Sequence, residues 1–333
     1  MLELNTQRTR FSWKGLAIVA LSLCLAWGMR GLQGHERGAA LAGAMVALSL
    51  AAVTGSSRWM GAAVLGSLCF ATGGALSYGR FIQPAFEGSW QAIAALVLIG
   101  AAWGGMGALG LILGLTFKQH RRWERILIAL YLLVVWFCVD QLLWARVTGP
   151  DDLLTRIWMA VILFGSWVLL TLYVVVSDRD WSLIRLSLAG AVGLGIGFPL
   201  SAWIQGVAPI TGLAVEWWKI AEHAVGLCGG LAIGWAGLTL DDTWQRPAAI
   251  KPWERWVGFV WLFWCIPSWL MANNLDYWIE ELTLLPVSIG NLVGTLLMVI
   301  LFILFVWGFI NIRQGRRFVT SWMPAQLRVF FLF

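Results

Sequence analysis

Apolar residues run along this chain in long blocks, and the polar positions fall between them in short runs. A helix crosses a bilayer with about 20 apolar residues. By that measure the pattern predicts ten spans, over residues 15–31, 37–55, 59–80, 90–117, 126–146, 156–177, 182–204, 218–240, 255–273 and 283–311. The runs between them are too short for a soluble domain of ordinary size. The expected fold is therefore an all-α polytopic membrane protein forming a single transmembrane domain. Any chemistry must be built from helices and their ends.

Composition agrees: 60% of the 333 residues are hydrophobic and 12% are charged. The net charge of +6 would suggest nucleic acid in a soluble protein. Its distribution excludes that partner and points to the membrane instead. With the N-terminus placed inside, sixteen of the 23 Lys and Arg fall on inner segments, including the Arg121-Arg122 and Arg316-Arg317 pairs. Six (Arg30, Arg37, Arg80, Arg146, Arg156 and Lys219) fall on outer ones, and Arg185 lies early in the seventh span. This bias follows the positive-inside rule and predicts both termini in the cytoplasm, in a bacterial inner membrane.

The five cysteines all lie within predicted spans and form no CxxC pair, so they read as small buried hydrophobes. The first apolar run resembles a secretory leader, but it leads into Trp27-Gly28-Met29-Arg30 without an A-x-A site, so it is read as a span. Of the 24 Trp, several sit at span ends, among them Trp59, Trp90, Trp144, Trp181, Trp217 and Trp253, as interfacial anchors do. Belt and packing roles account for nearly all of them.

Two stretches repeat. Gly114-Leu115-Thr116 closes the fourth span before Trp123-Glu124-Arg125 opens the fifth. Gly237-Leu238-Thr239 closes the eighth before Trp253-Glu254-Arg255 opens the ninth. Spans three to six then correspond to spans seven to ten. Copies with an even number of spans run parallel, related by an axis along the membrane normal. The expected organisation is an N-terminal hairpin (1–58), two repeats (59–180 and 181–312) and a basic, aromatic cytoplasmic tail (313–333). Spans one to four, seven and eight are rich in Gly and Ala, whereas five, six, nine and ten are rich in Leu, Val, Trp and Phe. Small residues let helices approach closely. The Gly-rich hairpins should form an inner bundle and the bulky ones a shell, and packing alone explains most of these glycines.

The Gly-rich hairpins turn on the predicted outer side, and there the ionisable residues gather. The first turn carries Arg30, Gln33, His35, Glu36 and Arg37 within eight residues, among glycines at 31, 34 and 38 that let a backbone approach a ligand. The second contributes Tyr78 and Arg80. The last contributes Glu216, Lys219, Glu222 and His223, close to one helical face. Singly, each has a plain explanation: arginines snorkel, and Glu216 and Lys219 form an ordinary i,i+3 pair. Together, charge at a membrane boundary marks a functional site.

Arginine presents a planar fork that matches carboxylate, phosphate or sulfate. The candidate substrate-binding set is therefore Arg30, His35, Glu36, Arg37, Tyr78, Arg80, Lys219, Glu222 and His223. Asp140, near the outer end of the fifth span, is the candidate for proton coupling. No Walker A loop, G-x-S-x-G elbow or H-E-x-x-H pair occurs, and neither a metal nor another cofactor is expected. The function that follows is a transporter or flippase for an anionic small solute or lipid-linked substrate, with membrane lipids as neighbours. The alternatives are a transferase using a lipid-linked donor at the outer leaflet, and a non-catalytic subunit or receptor.

Overall fold

The computed structural model describes residues 11–30, 35–56, 58–116, 122–139, 153–178, 181–240 and 257–266. Among them are nine α-helices and no strand. They are α1 (Trp13–Arg30), α2 (His35–Thr54), α3 (Trp59–Gly73), α4 (Gly79–Phe86), α5 (Trp90–Thr116), α6 (Arg122–Phe137), α7 (Leu153–Asp178), α8 (Trp181–Thr211) and α9 (Trp217–Thr239). A π-helical turn covers Trp261–Cys265. Five of the helices carry stretches long and apolar enough to cross a membrane, in α1, α2, α5, α7 and α8. The chain is thus an all-helical, multi-pass membrane protein.

Six helices close a ring in the order α1, α2, α3, α5, α8, α9 and back to α1. Neighbours run antiparallel, and each seam is set by glycine. Gly43 faces Gly66 between α2 and α3, Gly61 faces Gly114 between α3 and α5, and Gly104 faces Gly190 between α5 and α8. Gly193 lies on α9 at Cys228 and Gly229, Gly230 on α1 at Ala20, and Gly38 on the end of α1 at Arg30. A methyl group at Gly61 would stand 2.8 Å from the Gly114 carbonyl, and one at Gly230 2.8 Å from the Ala20 carbonyl. In lipid, where burial adds no drive between helices, such backbone-to-backbone approach is a main source of adhesion. These are the Gly- and Ala-rich segments of the sequence.

The bulky helices lie outside the ring. α7 packs on α5, and α6 packs on α3 and α7. Trp167 of α7 seats its indole against Gly105, where any side chain would collide with it. Its Nε1–H donates to Ser187 Oγ at 2.9 Å, and Ser187 Oγ donates to the Gly105 carbonyl at 3.0 Å. One tryptophan thus bolts α7 to two ring helices.

Two helices depart from the sequence pattern. The span expected over 59–80 stops at Gly73, and the amide of Gly74 closes the last turn on Phe70 O and Thr72 O. A methyl group at Gly73 would stand 2.8 Å from Trp103 Cα, and the chain turns there towards the short helix α4. α4 packs against α5 and α8. The span expected to end at 204 continues to Thr211, through Pro199 and Pro209. The interior is filled by Val19, Leu23, Val46, Leu50, Leu194 and Ile233, and then, towards the Arg30 end, by aromatic rings.

Gly104→Ala and Gly190→Ala should each destabilise the protein by about 1–3 kcal/mol, the usual cost of overpacking. Gly165, with open space around it, should accept Ala without loss. Thermal unfolding of the three variants checks both expectations.

Candidate functional site

One aromatic residue from each of four ring helices meets at one level: Trp27 of α1, Phe70 of α3, Trp103 of α5 and Phe198 of α8, all fully buried. Trp27 lies 5.2 Å from Trp103, 5.8 Å from Phe198 and 6.4 Å from Phe70 between ring centroids. Tyr78, from the segment joining α3 to α4, closes the layer 4.4 Å from Phe198. Outside it, Trp218 stacks on Tyr78 at 6.3 Å with the rings 4° from parallel.

Arg30 lies one turn beyond Trp27 and turns inward. Its guanidinium carbon stands 5.2 Å from the Trp27 centroid, 4.8 Å from Tyr78 and 5.1 Å from Trp103. The side chain is 2% exposed, so it does not snorkel to the interface. Gly38 makes that direction possible, because a methyl group there would overlap Arg30 Cγ. Each ring face contributes about 0.5–2 kcal/mol of cation–π attraction. This box is the candidate site.

α9 supplies the remaining charges. Glu222, 1% exposed, faces Arg30 with Oε1 3.8 Å from Nη2. Its Oε2 accepts from Lys219 Nζ at 3.2 Å, and Lys219 also donates to the Gly28 carbonyl at 3.3 Å. Trp218 lies beside the same carboxylate. His223 donates from Nδ1 to the Lys219 carbonyl at 2.7 Å and lays its ring on Gly28. That nitrogen is therefore committed within its own helix.

The balance of donors and acceptors is uneven. Five buried donor atoms have no acceptor: Arg30 Nε, Arg30 Nη1, Trp27 Nε1, Trp103 Nε1 and the Tyr78 hydroxyl. Glu222 Oε1 is an unpartnered acceptor, and the Tyr78 hydroxyl can accept as well as donate. Trp27 and the Tyr78 hydroxyl are neighbours, yet neither meets hydrogen-bond geometry. Buried polar groups are normally satisfied. A surplus of donors around a guanidinium is the chemistry of an anion site.

Of the residues singled out from sequence, the structure brings Arg30, Tyr78, Lys219, Glu222 and His223 into direct contact or close succession. His35, exposed at the start of α2, lies within electrostatic reach of Arg30 and Arg80. Glu36 and Arg37, half-buried in the first turn of α2, and Arg80, exposed on α4, are held by contacts of their own. Asp140 lies outside the described residues. Sequence reasoning missed Trp27, Trp103, Phe70, Phe198 and Trp218. The signal available for two of them was position: Trp27-Gly28 and Trp103-Gly104-Gly105 stand inside Gly-rich spans, where a belt residue would not be. Among the described residues no three His, Cys, Asp or Glu side chains converge as metal ligands.

Compared with known proteins, the chain matches no family, no curated protein and no solved structure.

Glu222→Gln should cost about 3–5 kcal/mol, because it leaves Arg30 buried without a counter-charge, and Arg30→Met should cost less, because Glu222 keeps Lys219. The double variant should cost clearly less than the two summed. Unfolding of all four forms closes the cycle, and strict additivity would mean that the two charges do not interact.

Proposed function

We propose that this chain is a transporter or flippase for an anionic small solute or lipid-linked anion, and that the Arg30 box is its binding site. The donor surplus carries this reading. Two nitrogens of a fixed guanidinium and three donors on the rings beside it are buried without an acceptor, with one loosely placed carboxylate next to them. A ligand bearing several acceptor oxygens satisfies what the protein leaves open. The glycine seams favour movement of helices against one another, since their contact surfaces are smooth backbone. The transferase reading keeps one candidate base, because His223 is anchored through Nδ1 on the Lys219 carbonyl and has Nε2 left for proton transfer.

The wider arrangement belongs to the same proposal. Ten spans, cytoplasmic termini and a bacterial inner membrane place the Arg30 end on the extracytoplasmic side, by the bias of Lys and Arg. A parallel duplication is supported by α5 and α9, which both begin at a Trp and both end at the Thr of Gly-Leu-Thr. Membrane lipids are the expected neighbours.

Native mass spectrometry of the purified protein tests the site. An anionic adduct should be present on wild type, lost in Arg30→Ala and kept in Arg80→Ala. A small adduct identifies a solute carrier, and a lipid-sized one a flippase. Equal spectra for wild type and Arg30→Ala would remove the box from consideration.

A further inference from the structure

We propose that the Arg30 box takes a tetrahedral oxyanion, a phosphoryl or sulfuryl group, and that the Glu222 carboxylate is the place-holder this group displaces. The inference rests on the anion-site reading above and deepens it by naming the ligand class and the side chain that yields.

The Arg30–Glu222 contact is a charge contact without a hydrogen bond. A charge-assisted N–H···O bond closes to about 2.7–2.9 Å. Here the atoms stop at 3.8 Å, and Oε1, Nε and Nη1 all remain unpartnered. Both side chains are almost fully buried, so the pair carries its desolvation cost without the bonds that would offset it. As a structural fastener it is poor, whereas as an occupant to be exchanged it is well placed. Nη2 belongs to both forks of the guanidinium, pairing with Nε on one edge and with Nη1 on the other. A carboxylate beside Nη2 therefore obstructs bidentate binding at either edge. Its removal opens both.

Glu222 also has somewhere to go. Its other oxygen already accepts from Lys219 Nζ, which the Gly28 carbonyl anchors in turn. Released from Arg30, the carboxylate keeps a cation and is not stranded.

The spread of donors selects the ligand's shape. They are carried on rings inclined to one another, Trp27 to Trp103 by 52° and Tyr78 to Trp103 by 88°. A carboxylate presents its lone pairs in one plane. A tetrahedral oxyanion presents oxygens in several directions, so a guanidinium fork that takes two leaves others for donors outside its plane, and the unpartnered donors nearby are the Trp27 and Trp103 indoles and the Tyr78 hydroxyl. The same phosphoryl chemistry is offered by a free anion and by a lipid head group.

The test uses the full chain in phosphatidylcholine nanodiscs, with thermal unfolding as the readout. Inorganic phosphate and sulfate should stabilise wild type at concentrations at least about tenfold below those acetate needs, the worth of one further charge-assisted hydrogen bond. Glu222→Asp keeps the charge beside Lys219 but draws it back from Arg30 by one methylene. It should bind phosphate about tenfold more tightly than wild type. Glu222→Gln should do the same from a lower starting stability, and Arg30→Lys should lose the effect. Nanodiscs doped with phosphatidate, without added phosphate, separate the sources: stabilisation there alone identifies a lipid head group, and stabilisation by phosphate alone a free anion. Acetate binding as tightly as phosphate through Arg30 would overturn the tetrahedral class while leaving an anion site. Glu222→Asp binding phosphate no better than wild type would overturn the place-holder. No stabilisation of any form by any of these probes would overturn the anion-site reading itself.

Discussion

Contact between glycine backbones is the constraint on which the rest of this molecule depends. Six helices close a ring because each seam replaces side chains with bare peptide, at pairs such as Gly61 and Gly114 or Gly104 and Gly190. Close approach adds many small dispersion gains and backbone Cα–H···O contacts. It also fixes the width of the interior. Four aromatic residues from four helices, with Tyr78 closing the layer, span that width at one level, and Arg30 meets Trp27, Tyr78 and Trp103 at about the same distance. Wider seams would separate the rings and flood the guanidinium with water.

The box itself is a compromise between charge and enclosure. Three cation–π contacts and one carboxylate compensate a buried guanidinium in part, and several of its neighbours keep N–H and O–H groups unused. A core selected for stability alone would fill such positions with apolar side chains of similar volume. Retaining polar groups in a half-satisfied network lowers stability, and the anion proposed above would satisfy them. The shell helices take no part in this. α7 is held through Trp167 and Ser187, and the ring helices with Tyr78 position the box.

The all-helical, membrane-spanning class was legible because apolar blocks of span length admit few other folds. The inner position of the Gly-rich segments was legible too, since glycines four residues apart, as at Gly100 and Gly104 or Gly226 and Gly230, lie along one face of a helix. The early end of α3 was not. Gly73 and Gly74 read as ordinary packing glycines, and only the closeness of Trp103 shows why the helix stops there. Nor was the direction of Arg30. A cation at the last turn of a span can reach outward or fold inward, and the choice depends on Gly38, eight residues on and across a seam. Trp27 and Trp103 were masked by number: among 24 tryptophans, mostly explicable as belt or packing, only their place inside Gly-rich spans sets these two apart.

Arg30, Lys219 and Glu222, when all are ionised, leave one net positive charge at this end of the ring, with Arg30 and Glu222 buried and Lys219 partly exposed. A second unit cation brought within about 5 Å of it, at an effective dielectric of about 20, is repelled by about 3 kcal/mol. A hydronium or sodium ion following the ring axis would meet this barrier on top of its own desolvation. The buried guanidinium therefore works against any proton or metal cation that approaches it along that line.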